Sequence, residues 1–374
     1  MTRLIHFAVA LYAILVQLVL GQKDVTELFK DVNTQDNDDG GCAYVGLANL
    51  NKIVKDAHDM ANGARNLIIA SSRGDKMAQR LVKAFFNTEN SDKALSSAQL
   101  STLRGRYKRV RDWLRSGGPV DDGVVQEKPH LFCDSNFLVR KIMDDYAVQA
   151  DGTFVKDGKG NNMKIKQIKE YRKEQERIAK LLSTPTRPVS VADVVPYWNK
   201  LSKSYEFDRV TPGKVDSGPC HEKSKLNGFA YAKGPFPFIV LCPRAFGLSQ
   251  STKENHWTYR PVQLTSENRP SGQEIGTVAS VDNGDVDNLR SLSSISPTAK
   301  TFLHEMFHLV LGDARSYPKG GEVSKTSEIL SKSYDVSSLN PETYSLMAVA
   351  LANTLEQDLD NMVLNWDTGW ATSD

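Results

Sequence analysis

The chain has 374 residues, of which 40% are hydrophobic and 25% are charged, and this length is enough for one large hydrophobic core or two modest ones. Its 47 basic and 45 acidic residues give a net charge of +2. This balance excludes a mainly disordered chain and gives no indication of a nucleic-acid partner. No segment after residue 21 is apolar enough to span a bilayer. We therefore expect a globular monomer that binds no nucleic acid and has no stable membrane association.

Residues 1–21 have the pattern of a secretory signal peptide. A single cation at Arg3 precedes an apolar run that ends at Leu20, and the small residue Gly21 stands before Gln22. A retained membrane anchor is the alternative, but no basic stop-transfer cluster follows the run. We expect the mature chain to begin near Gln22 and to be secreted into the extracellular medium.

Four cysteines lie in the mature part of the chain, and an even number in an oxidising compartment favours two disulfides. No two of them lie within four residues of each other, which excludes a compact cysteine zinc knuckle. Three pairings are possible. We favour a local Cys220–Cys242 bridge and a long Cys42–Cys133 bridge.

The periodicity of apolar residues predicts a mainly helical protein with a small sheet. From Ala43 to about Trp113 apolar residues recur every three or four positions, as in amphipathic helices. Later in the chain, Phe236–Leu241 and Glu274–Val281 are short apolar segments bounded by turn residues, which predicts strands. We therefore expect an α+β fold.

One predicted helix carries a strongly basic face. Such a face could bind an anionic partner, but a solvated helix face is the interpretation that we favour. The basic residues are Arg104, Arg106, Lys108, Arg109, Arg111 and Arg115.

The segment after Ser296-Pro297 contains the pattern with the clearest chemistry. His304, Glu305 and His308 form an HExxH motif on a predicted helix that Gly312 ends. Residues four apart share one helix face, so both imidazoles can bind one metal ion. Glu305 can approach a water on that ion, as in zinc hydrolases. We expect one zinc ion, with His304 and His308 as ligands and Glu305 as the general base.

The sequence TFLHEMFHLVLG at 301–312, followed by NPETYSLMA at 340–348, resembles the C-terminal half of secreted fungal metalloendopeptidases. These are the deuterolysin-like and lysine-specific peptidases called aspzincins. IVLCPRAF, which contains Cys242, is also similar to that family, and the resemblance covers about residues 229–352. It implies a zincin-like metallopeptidase domain over 42–374, after a polar and solvated lead-in at 22–41. An upper part would span 42–295, and the HExxH helix with a lower part would span 296–374.

The third zinc ligand is where the chain departs from this family. The family places an aspartate in a GT-x-D-x-x-Y-G-like motif, whereas this chain offers Asp313, Glu322, Glu328 and Asp335 outside that context. We favour Glu328, because it lies twenty residues after His308, the spacing of thermolysin-like enzymes. Asp335 and Asp313 are the alternatives that follow it.

The resemblance implies a secreted zinc-dependent endopeptidase that acts on internal peptide bonds of protein or peptide substrates. Tyr334 lies near the position of the family's tyrosine and would help to stabilise the oxyanion, and the strand at Glu274–Val281 would bind the substrate by edge pairing. The alternative is a catalytically weak or inactive protein on the same scaffold that captures zinc or binds a surface.

Overall fold

The computed structural model describes residues 22–86, 94–123, 125–183, 188–209, 218–220, 226–232, 234–247, 259–260, 262, 270, 272–274, 280–281, 287–295, 297–318, 321–355 and 364–373. The predicted signal peptide lies outside them. The helices of the described residues include α1 Val25–Leu28, α2 Leu47–Ser72, α3 Lys76–Phe86, α4 Ser97–Ser116, α5 Lys169–Leu182, α6 Thr298–Leu311, α7 Asp313–Ser316, α8 Thr326–Leu330, α9 Tyr334–Ser337 and α10 Pro341–Leu355. The strands include β1 His130–Phe132, β2 Leu138–Arg140, β3 Val194–Asn199, β4 Ser204–Arg209, β5 Gly228–Tyr231, β6 Phe238–Leu241, β7 Leu364–Asn365 and β8 Thr372–Ser373.

The main hydrophobic core lies between α2, α3, α4, α6 and α10. Helix α2 buries residues that recur at intervals of three and four, so one side of this long helix faces the core. Helix α6 is buried around most of its circumference and contacts α2, α4 and α10. Because α6 carries the HExxH motif, the two histidines are held on an enclosed helix of this core.

A three-stranded sheet with the order β1-β6-β5 lies against α6. Its central strand β6 is buried along its whole length, runs parallel to β1 and is antiparallel to β5. Among the described strands, β5 has only one neighbour and forms an edge of this sheet. The sheet therefore presents an edge strand beside the HExxH helix.

A second sheet with the order β2-β3-β4 is antiparallel and packs against α5. Its core is separate from the main one and includes Val194, Tyr205 and Phe207 from the sheet and Ile178 from α5. Strand β2 connects this layer to β1 through a short loop.

Both predicted disulfides are confirmed. Cys42 is bonded to Cys133, which follows β1, and Cys220 is bonded to Cys242, which follows β6. No free cysteine occurs among the described residues. Two disulfides are typical of proteins that fold in an oxidising compartment and are consistent with an extracellular protein.

The prediction of a solvated lead-in at 22–41 is wrong for its first part. Val25 and Leu28 on α1 and the following Phe29 are buried in the main core, where Phe29 packs against Trp113 and Phe302. These apolar residues form one side of a short helix, and the polar composition of the segment hid them.

The fold-class prediction is confirmed at the level of a mixed helix and sheet protein, with helices predominating. The strand at Phe236–Leu241 is confirmed as β6, whereas the strand at Glu274–Val281 is wrong at both described ends. Gly272–Glu274 form a 3-10 turn and residues 280–281 are helical, while residues 275–279 lie outside the described part. Within the residues that the structure describes, no helix has the length and apolar character needed to cross a membrane.

Candidate metal centre

Helix α6 directs His304 and His308 at the same point in space. Their Nε2 atoms lie 3.3 Å apart, and His308 is buried while His304 keeps 15% of its side chain exposed. Two nitrogen ligands at about 2.05 Å from a tetrahedral zinc ion lie about 3.3 Å from each other. The separation of the two imidazoles therefore fits shared coordination of one ion.

The structure places Glu322 beside both histidines. One carboxylate oxygen lies 2.5 Å from Nε2 of His308, and the other lies 3.6 Å from Nε2 of His304. Donor atoms of these three residues all lie within 4.8 Å of one another, and they form the one such metal-ligand group among the described residues. The side chain of Glu322 is 29% exposed, so solvent reaches the group from the side of this carboxylate.

The favoured third ligand, Glu328, is not brought to the histidines. Its side chain is 50% exposed on α8 and forms an ion pair of 3.3 Å with Lys325. Asp335 is exposed on α9 and also lies outside the ligand group, and the side chain of Asp313 is not among the described ones. The described residues 321–324, just before α8, have no regular secondary structure, and they bring Glu322 and not Glu328 beside the two histidines.

The Nδ1 nitrogen of His308 is held by a serine. Nδ1 of His308 lies 3.1 Å from Oγ of Ser316, and that hydroxyl donates its own proton to the carbonyl of Gly312 at 2.7 Å. The hydroxyl can therefore only accept from His308, so Nδ1 carries the proton. Gly312 ends α6 with a positive φ of 71°, which suits a glycine and turns the chain so that Ser316 lies under the imidazole.

The outer nitrogen of His304 is held by a carboxylate from another helix. Nδ1 of His304 lies 2.9 Å from Glu342 on α10, and Lys300, one turn before His304, forms an ion pair of 2.5 Å with the same carboxylate. Both side chains of the pair are 12% exposed. Burial alone would raise the pKa of Glu342, but Lys300 and His304 lower it to about 2. Glu342 is therefore ionised and accepts the Nδ1 proton of His304.

Because the Nδ1 atoms are engaged in these hydrogen bonds, the Nε2 atoms of both histidines remain as electron-pair donors. With protons on both Nδ1 atoms, the two Nε2 atoms present lone pairs towards the carboxylate of Glu322, and three acceptors so close together require a cation between them. Burial would raise the pKa of Glu322 and lower that of His304. The attraction between the histidines and the surrounding glutamates reverses both shifts, so the pKa of Glu322 falls and that of His304 rises. A proton or a metal ion can supply the missing charge.

Glu305 is enclosed between α6 and the edge strand. Its side chain is 5% exposed, and burial raises its pKa to about 7 against the opposing effect of His304 and His308. A Cβ atom at Gly228 on β5 would lie 3.2 Å from Cγ of Glu305. The edge strand thus passes directly over the residue that was predicted to act as the general base.

Tyr334 is not brought to the metal centre. Its hydroxyl donates to the carbonyl of Gln99 at 3.2 Å, and its ring packs against the main core. Tyr317 is instead the tyrosine at the site, since its ring stacks on His308 with the centroids 4.6 Å apart.

Sequence reasoning missed Glu342, Ser316 and Tyr317, and it named Glu322 without favouring it. A signal existed for Glu342, because it lies in the NPETYSLMA segment that carries the family resemblance. Ser316 and Tyr317 stand eight and nine residues after His308, close enough to return to the helix after a glycine turn, but many surface residues share that property.

No protein-family model matches this sequence, and comparisons with the curated proteins and with the solved structures found no match. The resemblance to aspzincins therefore depends on the motifs quoted above.

Proposed function

We propose that this protein is a secreted zinc metalloendopeptidase that hydrolyses internal peptide bonds. One observation carries the proposal, namely the convergence of His304, His308 and Glu322, with both histidines oriented by hydrogen bonds at Nδ1. Two histidines and one glutamate are the ligand set of several zinc peptidases, and such a set leaves a coordination position for water or substrate.

These three side chains would hold the metal. A bound zinc ion would lower the pKa of its water ligand to about 7 and polarise a carbonyl oxygen. The 3.3 Å between the two Nε2 atoms and the 3.6 Å between Glu322 and His304 fit this ion, whereas the 2.5 Å between Glu322 and His308 is a hydrogen-bond distance. The partial exposure of Glu322 leaves one side of the group open.

Glu305 would act as the general base. Its pKa of about 7 allows it to accept a proton from an attacking water and to deliver that proton to the leaving amine. Its enclosed position keeps bulk water from competing for this proton. A protein that only captures zinc has no use for a buried carboxylate at this position, which favours the enzyme over the zinc-binding alternative.

Strand β5 would bind the substrate backbone. It forms an edge of the three-stranded sheet, and its Gly228 lies next to Glu305. An extended peptide that pairs with this edge would pass close to both the base and the metal ligands. This role replaces the one predicted for Glu274–Val281.

Metal analysis combined with a casein assay tests the proposal. The mature protein, purified without chelators, should contain one zinc ion per chain and should cleave casein. Dialysis against a chelator should abolish cleavage, and added zinc should restore it. A protein that holds zinc but cleaves neither casein nor a mixed peptide library would support the zinc-capture alternative instead.

A further inference from the structure

Helix α4 concentrates positive charge that the metal centre does not use. It carries six cations and one carboxylate, Asp112, in a protein whose net charge is only +2. One of the six, Arg106, turns inward and donates to the carbonyls of Arg315 and Ser338. Arg106 therefore contributes to packing and not to a charged surface.

Four of these cations form a line along one side of α4, which we call the basic stripe: Arg104, Lys108, Arg111 and Arg115. Their spacing of four, three and four residues keeps them on one face, and the line is about 16 Å long. Arg111 reaches Asn62 on α2 at 3.4 Å, so the stripe lies along the groove between α4 and α2.

Arg65 on α2 extends the basic stripe across this groove. Burial and the neighbouring charges of Arg111 and Arg104 lower the pKa of Arg65. Its Nε atom is buried and has no hydrogen-bond partner among the described residues. The rest of this guanidinium is partly exposed, and its Nη1 atom donates to Asn66 at 3.2 Å. A guanidinium that lies beside other guanidinium groups is an arrangement that an anion would stabilise.

Among the described residues, little negative charge neutralises the basic stripe. Asp112 accepts from both Lys108 and Arg111, so two cations share one carboxylate. Arg104 and Arg115 are exposed and, within the described part of the chain, form neither ion pairs nor side-chain hydrogen bonds.

The acidic residues of α2 interact with their own helix. Asp59 pairs with Lys55 at 2.6 Å, and Lys52 and Lys55 both act on the carboxylate of Asp56. These carboxylates are therefore partly neutralised before they could offset the basic stripe, and a linear surplus of positive charge remains on the surface.

We propose that the basic stripe, together with Arg65, binds a linear polysaccharide that carries sulfate or carboxylate groups. Arginine forms paired hydrogen bonds with such groups, and a line of cations matches anionic groups that repeat along a polymer. Single-stranded nucleic acids are bound with aromatic side chains that stack on the bases, but the two aromatic residues of α4, Tyr107 and Trp113, are buried. None of the exposed large hydrophobic residues lies on α4, so the helix has no apolar anchor for a membrane.

Helix α5 provides an internal control for the basic stripe. It also carries several cations, but Glu170, Glu174 and Glu176 are interleaved with them, and Arg177 pairs with Glu174 at 2.6 Å. Its Lys169 and Arg172 are exposed. Like Arg104 and Arg115, they form no ion pair and no side-chain hydrogen bond with the described residues.

Calorimetric titration of the mature protein with a heparin decasaccharide tests the proposal. The Arg104→Gln/Arg115→Gln variant should bind about tenfold more weakly than the parent. The slope of its log affinity against log salt concentration should be shallower by about one to two. The matched Lys169→Gln/Arg172→Gln variant removes the same charge and should change the affinity less than about twofold. Equal unfolding temperatures of the three proteins verify that the fold is retained.

Other probes in the same assay separate the possible partners. Oligogalacturonate, which carries carboxylates without sulfate, distinguishes between the two anionic groups, and binding to either saccharide supports the proposal. Equal losses of affinity in the two double variants would overturn the proposal, because net charge alone would then explain the binding. No binding to either saccharide, or tighter binding to a single-stranded 20-mer DNA or to phosphatidylserine vesicles, would also overturn it.

Discussion

His304 and Glu342 lie on different helices and are joined by a hydrogen bond of 2.9 Å between Nδ1 and a carboxylate oxygen. This contact connects the metal-binding helix α6 to α10. It also determines which nitrogen of His304 carries the proton, so that Nε2 is free to bind a metal. Lys300 on the other oxygen keeps the carboxylate ionised.

The first prediction concerns this contact. Glu342→Gln should lower the zinc affinity by about 10- to 100-fold, because a neutral amide orients His304 less strongly and makes it a weaker base. Competition with a chromophoric chelator measures the affinity. Glu328→Gln is the matched control, since it removes an exposed carboxylate that pairs only with Lys325 among its described contacts. Equal affinities of the two variants would show that Glu342 does not orient the ligand.

The second prediction identifies the third ligand. Glu322→Ala should reduce zinc affinity by more than the roughly 100-fold that outer partners contribute, because it removes a donor atom from the ion. Glu328→Ala should leave the affinity unchanged, and the same chelator competition compares them. If Glu328→Ala loses zinc and Glu322→Ala retains it, the geometry described above is wrong for the loaded protein.

The metal site shows where sequence reasoning succeeds and where it fails. His304 and His308 could be predicted because four residues on a helix define a shared face without reference to the rest of the fold. Glu322 could not be preferred over Glu328, because its position depends on how an irregular segment returns from Gly312, and no local periodicity encodes that return.

The β1-β6-β5 sheet could likewise be predicted only in part from the sequence. The apolar segment at Phe236–Leu241 predicted the central strand β6, whose burial on all sides requires apolar residues. Edge strand β5 contains Gly228 and is only half-buried, so its pattern is weak, and Glu274–Val281 was chosen in its place. The polar composition of 22–41 likewise concealed the buried Phe29.

The third prediction tests the position of β5. Gly228→Ala places a methyl group 2.9 Å from the carbonyl of Val240 and close to Glu305, so the edge strand must shift. We expect a lower unfolding temperature and at least a tenfold loss of peptidase activity with zinc content retained. Gly105→Ala on α4 is the control. It meets nothing within 4 Å and should stabilise the helix by ~1 kcal/mol. Full activity of Gly228→Ala would exclude β5 from substrate binding.

The fourth prediction concerns the pH dependence of stability at a residue outside the metal centre. Burial raises the pKa of Glu206 on β4 to about 7. In the folded protein this carboxyl therefore holds its proton at pH values where the unfolded chain has lost it. The free energy of unfolding should fall as pH rises from about 4.5 to about 7, by on the order of 3 kcal/mol from this residue alone.

Urea unfolding of Glu206→Gln at pH 5 and pH 8 measures this effect. The variant should lack this part of the pH dependence and should be more stable than the parent at pH 8, because its side chain is neutral throughout. Glu176→Gln, on the exposed side of α5, is the control and should follow the parent. Parallel pH profiles of the parent and Glu206→Gln would contradict the prediction.

The most direct test of the central claim is the peptidase activity of Glu305→Gln measured together with its zinc content. The amide keeps the shape of the side chain but cannot accept a proton from water, and His304, His308 and Glu322 remain to hold the ion. We predict one zinc ion per chain and a loss of activity of roughly 10²–10⁴-fold, the contribution of positioned acid–base catalysis. A Glu305→Gln protein that binds zinc and cleaves casein as fast as the parent would contradict the proposed mechanism.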